Sequence, residues 1–418
     1  MGVPLKRPGA RRVTDEHLRE LAELADTAGA VVVGEMTQQI DRPHPGTYLG
    51  SGKLQELGAR AQELDASLVI FDDELSPSQG KNIEDAIGRR VMDRAELILD
   101  IFATRARSAE AKMQVELAQL EYMLPRLTRM WSHLEKFRGG IGMRGPGETQ
   151  LETDRRLINN RIKILRERLL DVQRGRAVQR QSRQAEFKAS IVGYTNAGKS
   201  SILRSLSGED VFVEDRLFAT LDPLTRDVNL GDHSRVLLTD TVGFIRKLPH
   251  HLVASFRATL EETREAELLL HVVDASAPTW EEQRIVVDQV LDELDVGDRP
   301  KLLVFNKIDL LSQDQLSALQ DRIGSLVPTS IFVSTRTEGG LEPLKRALVA
   351  ALRVRRPVTQ IRMSPADGKL LAEIHRDGEV LDQHMEGEFL FVRARVDETL
   401  AGRLRKAGAL VTNGTGPH

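Results

Sequence analysis

The chain contains no cysteine among its 418 residues. A disulfide framework, a thiolate metal site and a cysteine nucleophile are therefore excluded. No run of 18 apolar residues occurs, so the sequence offers no transmembrane segment. The basic residues 1–12 are not followed by an apolar stretch, so we expect no signal peptide. These absences favour a cytoplasmic protein, most simply a monomer, and leave partial association with a membrane open.

The order of apolar runs and helical patterns predicts a multidomain α/β protein. Residues 15–104 alternate the runs Ala30–Val33 and Ser67–Phe71 with helix-like segments, which predicts a small N-terminal α/β domain. Residues 186–353 alternate five strand-like runs with helical segments, which predicts a mostly parallel sheet. The five runs are Ala189–Val192, Arg235–Thr239, Leu268–Val273, Lys301–Phe305 and Ile331–Val333. Residues 357–418 combine one helical and one strand-like stretch, which predicts a small C-terminal α+β domain.

Residues 105–185 have a different pattern, in which apolar residues recur at alternating spacings of four and three. This spacing is typical of paired helices. The two blocks are Met113, Leu117, Leu120, Leu124, Leu127, Trp131 and Leu134, then Ile158, Ile162, Leu165, Leu169 and Val172. Pro125 should kink or restart the first helix, and five glycines separate Arg138 from Glu148. We therefore expect a long antiparallel helical hairpin with a glycine-rich tip.

A phosphate-binding loop is predicted at residues 193–200, which match the pattern G-x-x-x-x-G-K-[ST]. A strand-like run precedes them and a helix-compatible run follows, which is the setting that such a loop needs. Lys199 is expected to reach the β- and γ-phosphates, and the Ser200 hydroxyl is expected to ligate Mg²⁺. The predicted nucleotide contacts are Gly193, Tyr194, Thr195, Asn196, Ala197, Gly198, Lys199, Ser200 and Ser201.

Two further motifs follow strand-like runs and specify the nucleotide. Asp240 is expected to hold Mg²⁺ through water, and the Gly243 N–H is expected to meet the γ-phosphate. Asp309 can accept two hydrogen bonds from guanine, and adenine offers no such donor pair, so GTP is selected over ATP. The predicted contacts are Asp240, Thr241, Val242 and Gly243 in the first motif and Asn306, Lys307, Ile308 and Asp309 in the second.

A segment between the first two motifs predicts a nucleotide-dependent switch. Its residues are Phe218, Ala219, Thr220, Leu221 and Asp222. Thr220 is the candidate that closes on Mg²⁺ and the γ-phosphate when GTP is bound, and thus a second metal ligand. Ser334, Thr335 and Arg336 are a weaker match to the loop that supports the base, because Thr335 replaces the usual alanine. The candidate catalytic residues are Lys199, Thr220 and Gly243.

Phe244 stands where many GTPases place a glutamine that orients the attacking water. A phenyl ring cannot hydrogen-bond a water molecule. We therefore predict slow intrinsic hydrolysis, which a partner accelerates by ordering the switch regions. The expected chemistry is in-line attack of water on the γ-phosphate, with Lys199, Mg²⁺ and the loop N–H groups stabilising charge.

Positive charge is concentrated in residues 126–185, which have a net charge of +9 and leave −12 for the rest of the chain. A basic, glycine-tipped hairpin on an otherwise acidic chain favours an RNA-contacting surface. A solvated coiled coil with arginines on its outer face explains the charge equally well. The candidate RNA-binding residues are Arg138, Gly139, Gly140, Arg144, Gly145, Gly147, Arg155 and Arg156.

Together these motifs resemble the HflX family of P-loop GTPases over about residues 15–350. The resemblance is carried by Asp93–Phe102, Gln114–Gln119, Leu124–Leu127, Gly139–Gly142, Arg144–Thr149, Leu151–Arg156, Phe218–Asp222 and Asp240–Ile245. It implies a GTPase that binds the large ribosomal subunit and its RNA and splits or rescues stalled or stressed ribosomes. Two alternatives stay open: a GTP-regulated binding module in which hydrolysis only times release, and an ATP-dependent RNA remodeller.

Three other groups have structural rather than functional interpretations. Gly50–Lys53 superficially resembles a phosphate loop but lacks its spacing, so we expect a surface turn. Asp72–Glu74 follow a strand and are expected to form a strand-end loop rather than a metal site. His271 lies inside an apolar run, and we expect a buried structural histidine.

Overall fold

The computed structural model describes residues 1–3, 10–127, 146–180, 187–208, 216–231, 234–249 and 261–413. The chain divides into two compact units. The first consists of Met1–Arg176, Glu214–Asp222 and Ile245–Thr259, and the second of Ala177–Val213, Pro223–Phe244 and Leu260–His418. The finer division into four domains stays a prediction. Within the described ranges, no helix is long and apolar enough to cross a membrane.

The N-terminal part of the first unit is a small α/β arrangement, as predicted. Its elements are α1 (Ala10–Thr27), α2 (Ser51–Glu63), β1 (Leu68–Phe71), α3 (Pro77–Ile87), β2 (Arg90–Asp93) and α4 (Arg94–Arg105). Strands β1 and β2 pair in parallel. Ser76 and Gln79 form a capping box at the start of α3, and Asp93 caps α4, so the sequence fixes both helix starts locally.

Two local predictions for this part are wrong. Ala30–Val33 is not a strand, and Val31 is 86% exposed. The edge of β1 is met instead by the Met1 amino group, which donates to the Ile70 carbonyl at 2.6 Å. Gly50–Lys53 is not a surface turn, because α2 begins at Ser51 and runs through Lys53, which pairs with Glu56 one turn later.

The predicted helical hairpin is formed by α5 (Ala109–Met123) and α6 (Pro146–Arg180). A 3₁₀ turn, Leu124–Arg126, follows α5 at Pro125. The buried seam joins Leu117 to three residues of α6, which are Ile162, Leu165 and Leu169. The ion pairs Arg161–Glu116 and Arg166–Glu121 also join α5 to α6, and the antiparallel direction of the two helices stays a prediction. Trp131 and Leu134, which were predicted to extend the seam, lie outside the described residues.

The second unit contains a six-stranded sheet in the order β4-β5-β3-β6-β7-β8. The strands are β3 (Lys188–Gly193), β4 (Leu224–Gly231), β5 (Ser234–Asp240), β6 (Leu268–Asp274), β7 (Lys301–Asn306) and β8 (Ile331–Phe332). The helices are α7 (Lys199–Ser207), α8 (Glu261–Glu265), α9 (Trp280–Glu293), α10 (Gln313–Leu326) and α11 (Glu342–Arg355). All neighbours are parallel except β4 and β5, so the prediction of a mostly parallel sheet is confirmed.

The C-terminal part of the second unit has the order β-α-β-β-α-β. Its elements are β9 (Val358–Met363), α12 (Gly368–Asp377), β10 (Glu379–Glu386), β11 (Phe389–Arg395), α13 (Glu398–Lys406) and β12 (Leu410–Asn413). The antiparallel sheet has the order β10-β11-β9-β12, which is the ferredoxin-like arrangement. Its core packs Ile361 and Val392 of the sheet against Ile374 of α12 and Leu404 of α13. The predicted helix and strand correspond to α12 and β11.

Candidate nucleotide site

The three predicted motifs follow β3, β5 and β7, whose carboxyl ends lie at one edge of the parallel sheet. The loop after β3 ends at Gly198, which has a φ of +91°. A Cβ atom on Gly198 would lie 2.2 Å from Nδ2 of Asn306, so only glycine fits. That same Nδ2 donates to the Ala197 carbonyl at 3.0 Å. The motif after β7 is thus hydrogen-bonded to the loop after β3.

Lys199 begins α7, and its side chain is buried inside the loop. Its Nζ donates to the Tyr194 carbonyl at 2.8 Å. Burial lowers the pKa of Lys199 to about 8, although the nearby carboxylate of Asp240 raises it. The ammonium group is therefore held at the start of a helix, where backbone N–H groups also favour an anion.

The second motif meets the loop through Asp240, which is fully buried at the end of β5. Ser200 Oγ donates to Oδ2 of Asp240 at 2.6 Å. A hydroxyl and a carboxylate oxygen therefore lie side by side at the start of α7. Hard cations such as Mg²⁺ prefer these oxygen ligands, so the donor set fits that ion. Thr220 belongs to the first unit.

Gly243 and Phe244 connect the second motif to the loop by backbone contacts. The Thr195 N–H donates to the Phe244 carbonyl at 2.7 Å, and the Phe244 N–H donates to the Gly193 carbonyl at 3.1 Å. A Cβ atom on Gly243 would lie 2.7 Å from Thr195 Cα and 3.0 Å from Lys199 Nζ. The Phe244 side chain is buried. From the sequence we could predict only that Phe244 has no group to position water. Its backbone hydrogen bonds to the loop could not be predicted, because they form only when the loop has folded.

The side expected to bind the base contains a second set of contacts. Asp309 Oδ1 accepts a hydrogen bond from Ser334 Oγ at 2.6 Å, and the Arg336 N–H donates to that hydroxyl at 3.0 Å. Lys307 has a left-handed φ of +63° and pairs with Asp274 at 2.8 Å. Asp274 was not predicted, because only the parallel pairing of β6 with β7 places it next to this motif. The remaining predicted residues Asn196, Ser201, Thr241, Val242, Ile308 and Thr335 lie within the same loops and helix starts.

The switch segment 218–222 contacts helices of the first unit, which the sequence did not predict. The Phe218 ring packs edge-on against Phe102 of α4, with ring centroids 4.6 Å apart. The Asp222 carboxylate accepts hydrogen bonds at 3.2 Å from the N–H groups of Arg107 and Ser108, immediately before α5. Ala219 and Thr220 are half-buried and Leu221 is buried between these contacts. The predicted nucleotide contacts of this segment stay predictions.

The chain that follows the second motif also contributes to the first unit. Arg246 and Lys247 both bond the carboxylate of Asp72, at 3.3 and 3.0 Å. Arg94 donates to the same carboxylate at 3.0 Å and to the Arg246 carbonyl at 3.1 Å. Burial raises the pKa of Asp72, but the three cations outweigh it and hold that pKa below its usual value. Asp72 is thus a buried ion-pair centre within the loop between β1 and α3, so the strand-end loop is confirmed, although its ion pairs were not predicted.

Two other predicted groups can be placed. His271 is buried in β6, and burial lowers its pKa to about 4, so the ring is neutral near pH 7 and fits the structural interpretation. Arg155 and Arg156 are exposed on α6, and Gly147 lies near its start. The other candidate RNA contacts lie outside the described residues. They are Arg138, Gly139, Gly140, Arg144 and Gly145.

Three protein-family models match consecutive parts of the chain. They are described as GTP-binding GTPase N-terminal (residues 15–103), GTP-binding GTPase Middle Region (105–183) and 50S ribosome-binding GTPase (188–307). The GTPase HflX of Lacrimispora saccharolytica is 46% identical over 389 residues, which are 93% of this chain and 91% of that protein. The chain belongs to the HflX family.

A second HflX relative agrees with this family. The GTPase HflX of Escherichia coli (strain K12) is 44% identical over 89% of this chain and 87% of its own length. A solved GDP complex of a GTP-binding protein from Sulfolobus solfataricus is 26% identical, covers 84% of this chain and 99% of its own, and has a TM-score of 0.43. This HflX-family protein is a GTP-hydrolysing enzyme, as the motifs predicted.

Proposed function

We propose that this HflX-family protein hydrolyses GTP at the edge formed by β3, β5 and β7. Water attacks the γ-phosphate in line with the bond to the β-phosphate oxygen, which leaves as GDP. Lys199 and the loop N–H groups stabilise the charge on the phosphate oxygens. The observation that carries the proposal is the bonding of the other two motifs to the phosphate loop, through Asp240 and Asn306.

Mg²⁺ is the cofactor that the donor set supports. In this proposal Ser200 would ligate the ion, Asp240 would hold it through water, and Thr220 would join them when GTP is bound. When bound, the ion would supply positive charge beside the phosphate oxygens. The hydrogen bond between Ser200 and Asp240 holds the two oxygen ligands together at 2.6 Å.

Guanine is selected at Asp309, which accepts from the base N1–H and N2–H₂ groups. The Ser334 hydroxyl bonds one oxygen of this carboxylate and thereby sets its orientation. Asn306 spans from the base side to the loop, and its buried Oδ1 has no hydrogen-bond partner among the described residues. A buried acceptor of this kind is normally satisfied, so it supports a polar ligand beside Asn306.

The partner we propose is the large ribosomal subunit. Arg155 and Arg156 are exposed on α6, whereas Arg161 and Arg166 of the same helix pair with carboxylates of α5. These exposed arginines and the glycine-rich segment would contact phosphates of subunit RNA. Binding in the GTP state would split or rescue stalled ribosomes, and hydrolysis would release the protein.

Sedimentation of ribosomal subunits tests this proposal. We expect the protein to travel with large subunits in GTP or a non-hydrolysable analogue, and to leave them in GDP. Equal binding in all nucleotide states contradicts the proposal. Subunit separation with the analogue as complete as with GTP would favour the alternative in which hydrolysis only times release. Phe244 favours this alternative too, since its side chain offers no group to position water.

A further inference from the structure

The C-terminal sheet has one face covered by α12 and α13 and one open face. Val392 and Ala394 of β11 point into the core under the helices. The alternate residues of the two central strands point the other way and are exposed or half-buried. They are Val358, Gln360 and Arg362 of β9 and Phe389, Phe391, Arg393 and Arg395 of β11. The register places Arg362 opposite Phe391 and Gln360 opposite Arg393.

Planar side chains pack against one another on this open face. Phe389 is 42% exposed, although burial would be expected for a phenyl ring. The Arg362 guanidinium lies 4.6 Å from its centroid. The His384 ring of β10 stacks on Phe391, with centroids 5.7 Å apart and planes inclined by 10°. A partly exposed ring that already packs against planar groups is a place where a nucleobase can stack.

Positive charge on this face is concentrated on the central strands. Arg362 and Arg393 form no ion pair within the part of the chain that the structure describes. Other arginines of the same domain each pair with a carboxylate: Arg376, Arg395, Arg403 and Arg405. The acidic side chains of the face lie on the edge strand β10, where Asp382 is opposite Arg393 and Glu379 is opposite Arg395; the third is Glu386. The central strands thus carry only neutral and positive groups toward solvent.

We infer that this face binds single-stranded RNA, with bases stacked on Phe389 and Phe391 and phosphates held by Arg362 and Arg393. Four-stranded sheets of this β-α-β-β-α-β order bind RNA by stacking bases on aromatic residues of their central strands. The strand β11 matches such a pattern at three positions, Phe389, Phe391 and Val392. Strand β9 carries Gln360 and Arg362 where a second aromatic residue would lie, which limits ring stacking to β11.

The site is separate from the proposed hairpin contact, so its test uses the full chain with that contact removed. The background variant changes Arg138, Arg144, Arg155 and Arg156 to alanine. Binding of a fluorescein-labelled decamer of uridine is followed by fluorescence anisotropy, with an RNA duplex of the same length for comparison. We expect the single strand to bind more tightly than the duplex, because a duplex buries its base faces.

Three substitutions at one position separate stacking from simple burial. Phe391→Ala should weaken binding of the decamer by roughly 5- to 100-fold, the effect of losing one stacked base. Phe391→Leu should weaken binding by as much, because leucine has no ring. Phe391→Tyr should bind the decamer like the parent protein. Met385→Ala is the matched control, since Met385 is 54% exposed in the same domain but its backbone register places it on the opposite face.

The arginines are tested by salt dependence. Arg362→Ala and Arg393→Ala should each reduce the slope of log affinity against log salt by about 0.7 for a single strand. The inference is overturned if Phe391→Leu binds the decamer as tightly as Phe391→Tyr. It is also overturned if the duplex binds as well as the single strand. If Phe391→Ala changes the sedimentation coefficient of the RNA-free protein, the face binds a second copy of the chain instead.

Discussion

The Ser200 hydroxyl donates a hydrogen bond of 2.6 Å to the buried carboxylate of Asp240. This contact joins the first turn of α7 to the end of β5 and places two candidate oxygen ligands next to each other. Our assignment of the metal site depends on it. If Ser200 is a metal ligand, the hydroxyl of the neighbouring Ser201 is not needed to bind the metal. Substitutions of the two serines can therefore be compared directly.

Ser200→Ala should weaken Mg²⁺ binding in the GTP complex by at least the roughly 10- to 100-fold that loss of an outer-shell partner costs. Magnesium titration of single-turnover hydrolysis measures this. Ser201→Ala is the matched control and should leave the midpoint unchanged. If both variants have the same midpoint in the magnesium titration, Ser200 is not a ligand of the metal.

Asp309→Asn should move nucleotide preference from guanine toward xanthine, because the amide donates where the carboxylate accepted. Competition between GTP and XTP for the protein measures the change. Ser334→Ala removes only the hydroxyl that orients Asp309, so it should weaken GTP binding while guanine stays preferred. A guanine preference that survives in Asp309→Asn would place the base elsewhere.

Lys199 predicts a pH dependence of nucleotide affinity. Its folded-state pKa is lowered to about 8 by burial, so the nucleotide-free protein loses the ammonium charge as the pH rises through that value. Binding phosphate then requires uptake of a proton, and affinity should fall by at most about tenfold per pH unit above pH 8. GTP affinity measured from pH 7.5 to 9.5 tests this. Lys199→Ala should bind weakly with no such slope, and a flat profile in the parent protein would refute the role.

The hairpin assignment predicts a difference between arginines of one helix. Arg155→Ala with Arg156→Ala should weaken binding to large ribosomal subunits and flatten its salt dependence, because two phosphate contacts are lost. Arg161→Ala with Arg166→Ala is the control with equal charge change, since those arginines pair with Glu116 and Glu121. Cosedimentation at several salt concentrations compares the pairs. Equal effects would indicate a general charge effect and not a contact.

Gly243→Ala should reduce GTP hydrolysis strongly, because the added Cβ would lie 2.7 Å from Thr195 Cα. Backbone atoms cannot yield to such a contact, so the loop or the second motif must shift. Gly208→Ala is a useful comparison, since Gly208 follows α7 and its Cβ would meet open space, although its left-handed φ of +66° adds strain. Hydrolysis in Gly243→Ala at the level of Gly208→Ala would contradict the close approach.

The nucleotide motifs could be predicted because each is local: a buried strand followed at once by a characteristic loop. Strand β4 could not, because Val228 is its only buried residue. Ala30–Val33 has the composition of a strand but pairs with no other strand, which composition alone does not determine. Asp72 and Asp274 were missed as partners because the residues they bond lie 174 and 33 positions away.

Phe244 has a consequence for enzyme engineering. Its backbone forms the bridge to the loop, and its ring fills a buried site. Installing glutamine there would remove core packing and bury an amide that lacks partners, at a cost of several kcal/mol. The residue at this position is therefore constrained by packing rather than selected for chemistry. A faster version of this enzyme has to be sought by adding a water-positioning group from another segment or from a bound partner.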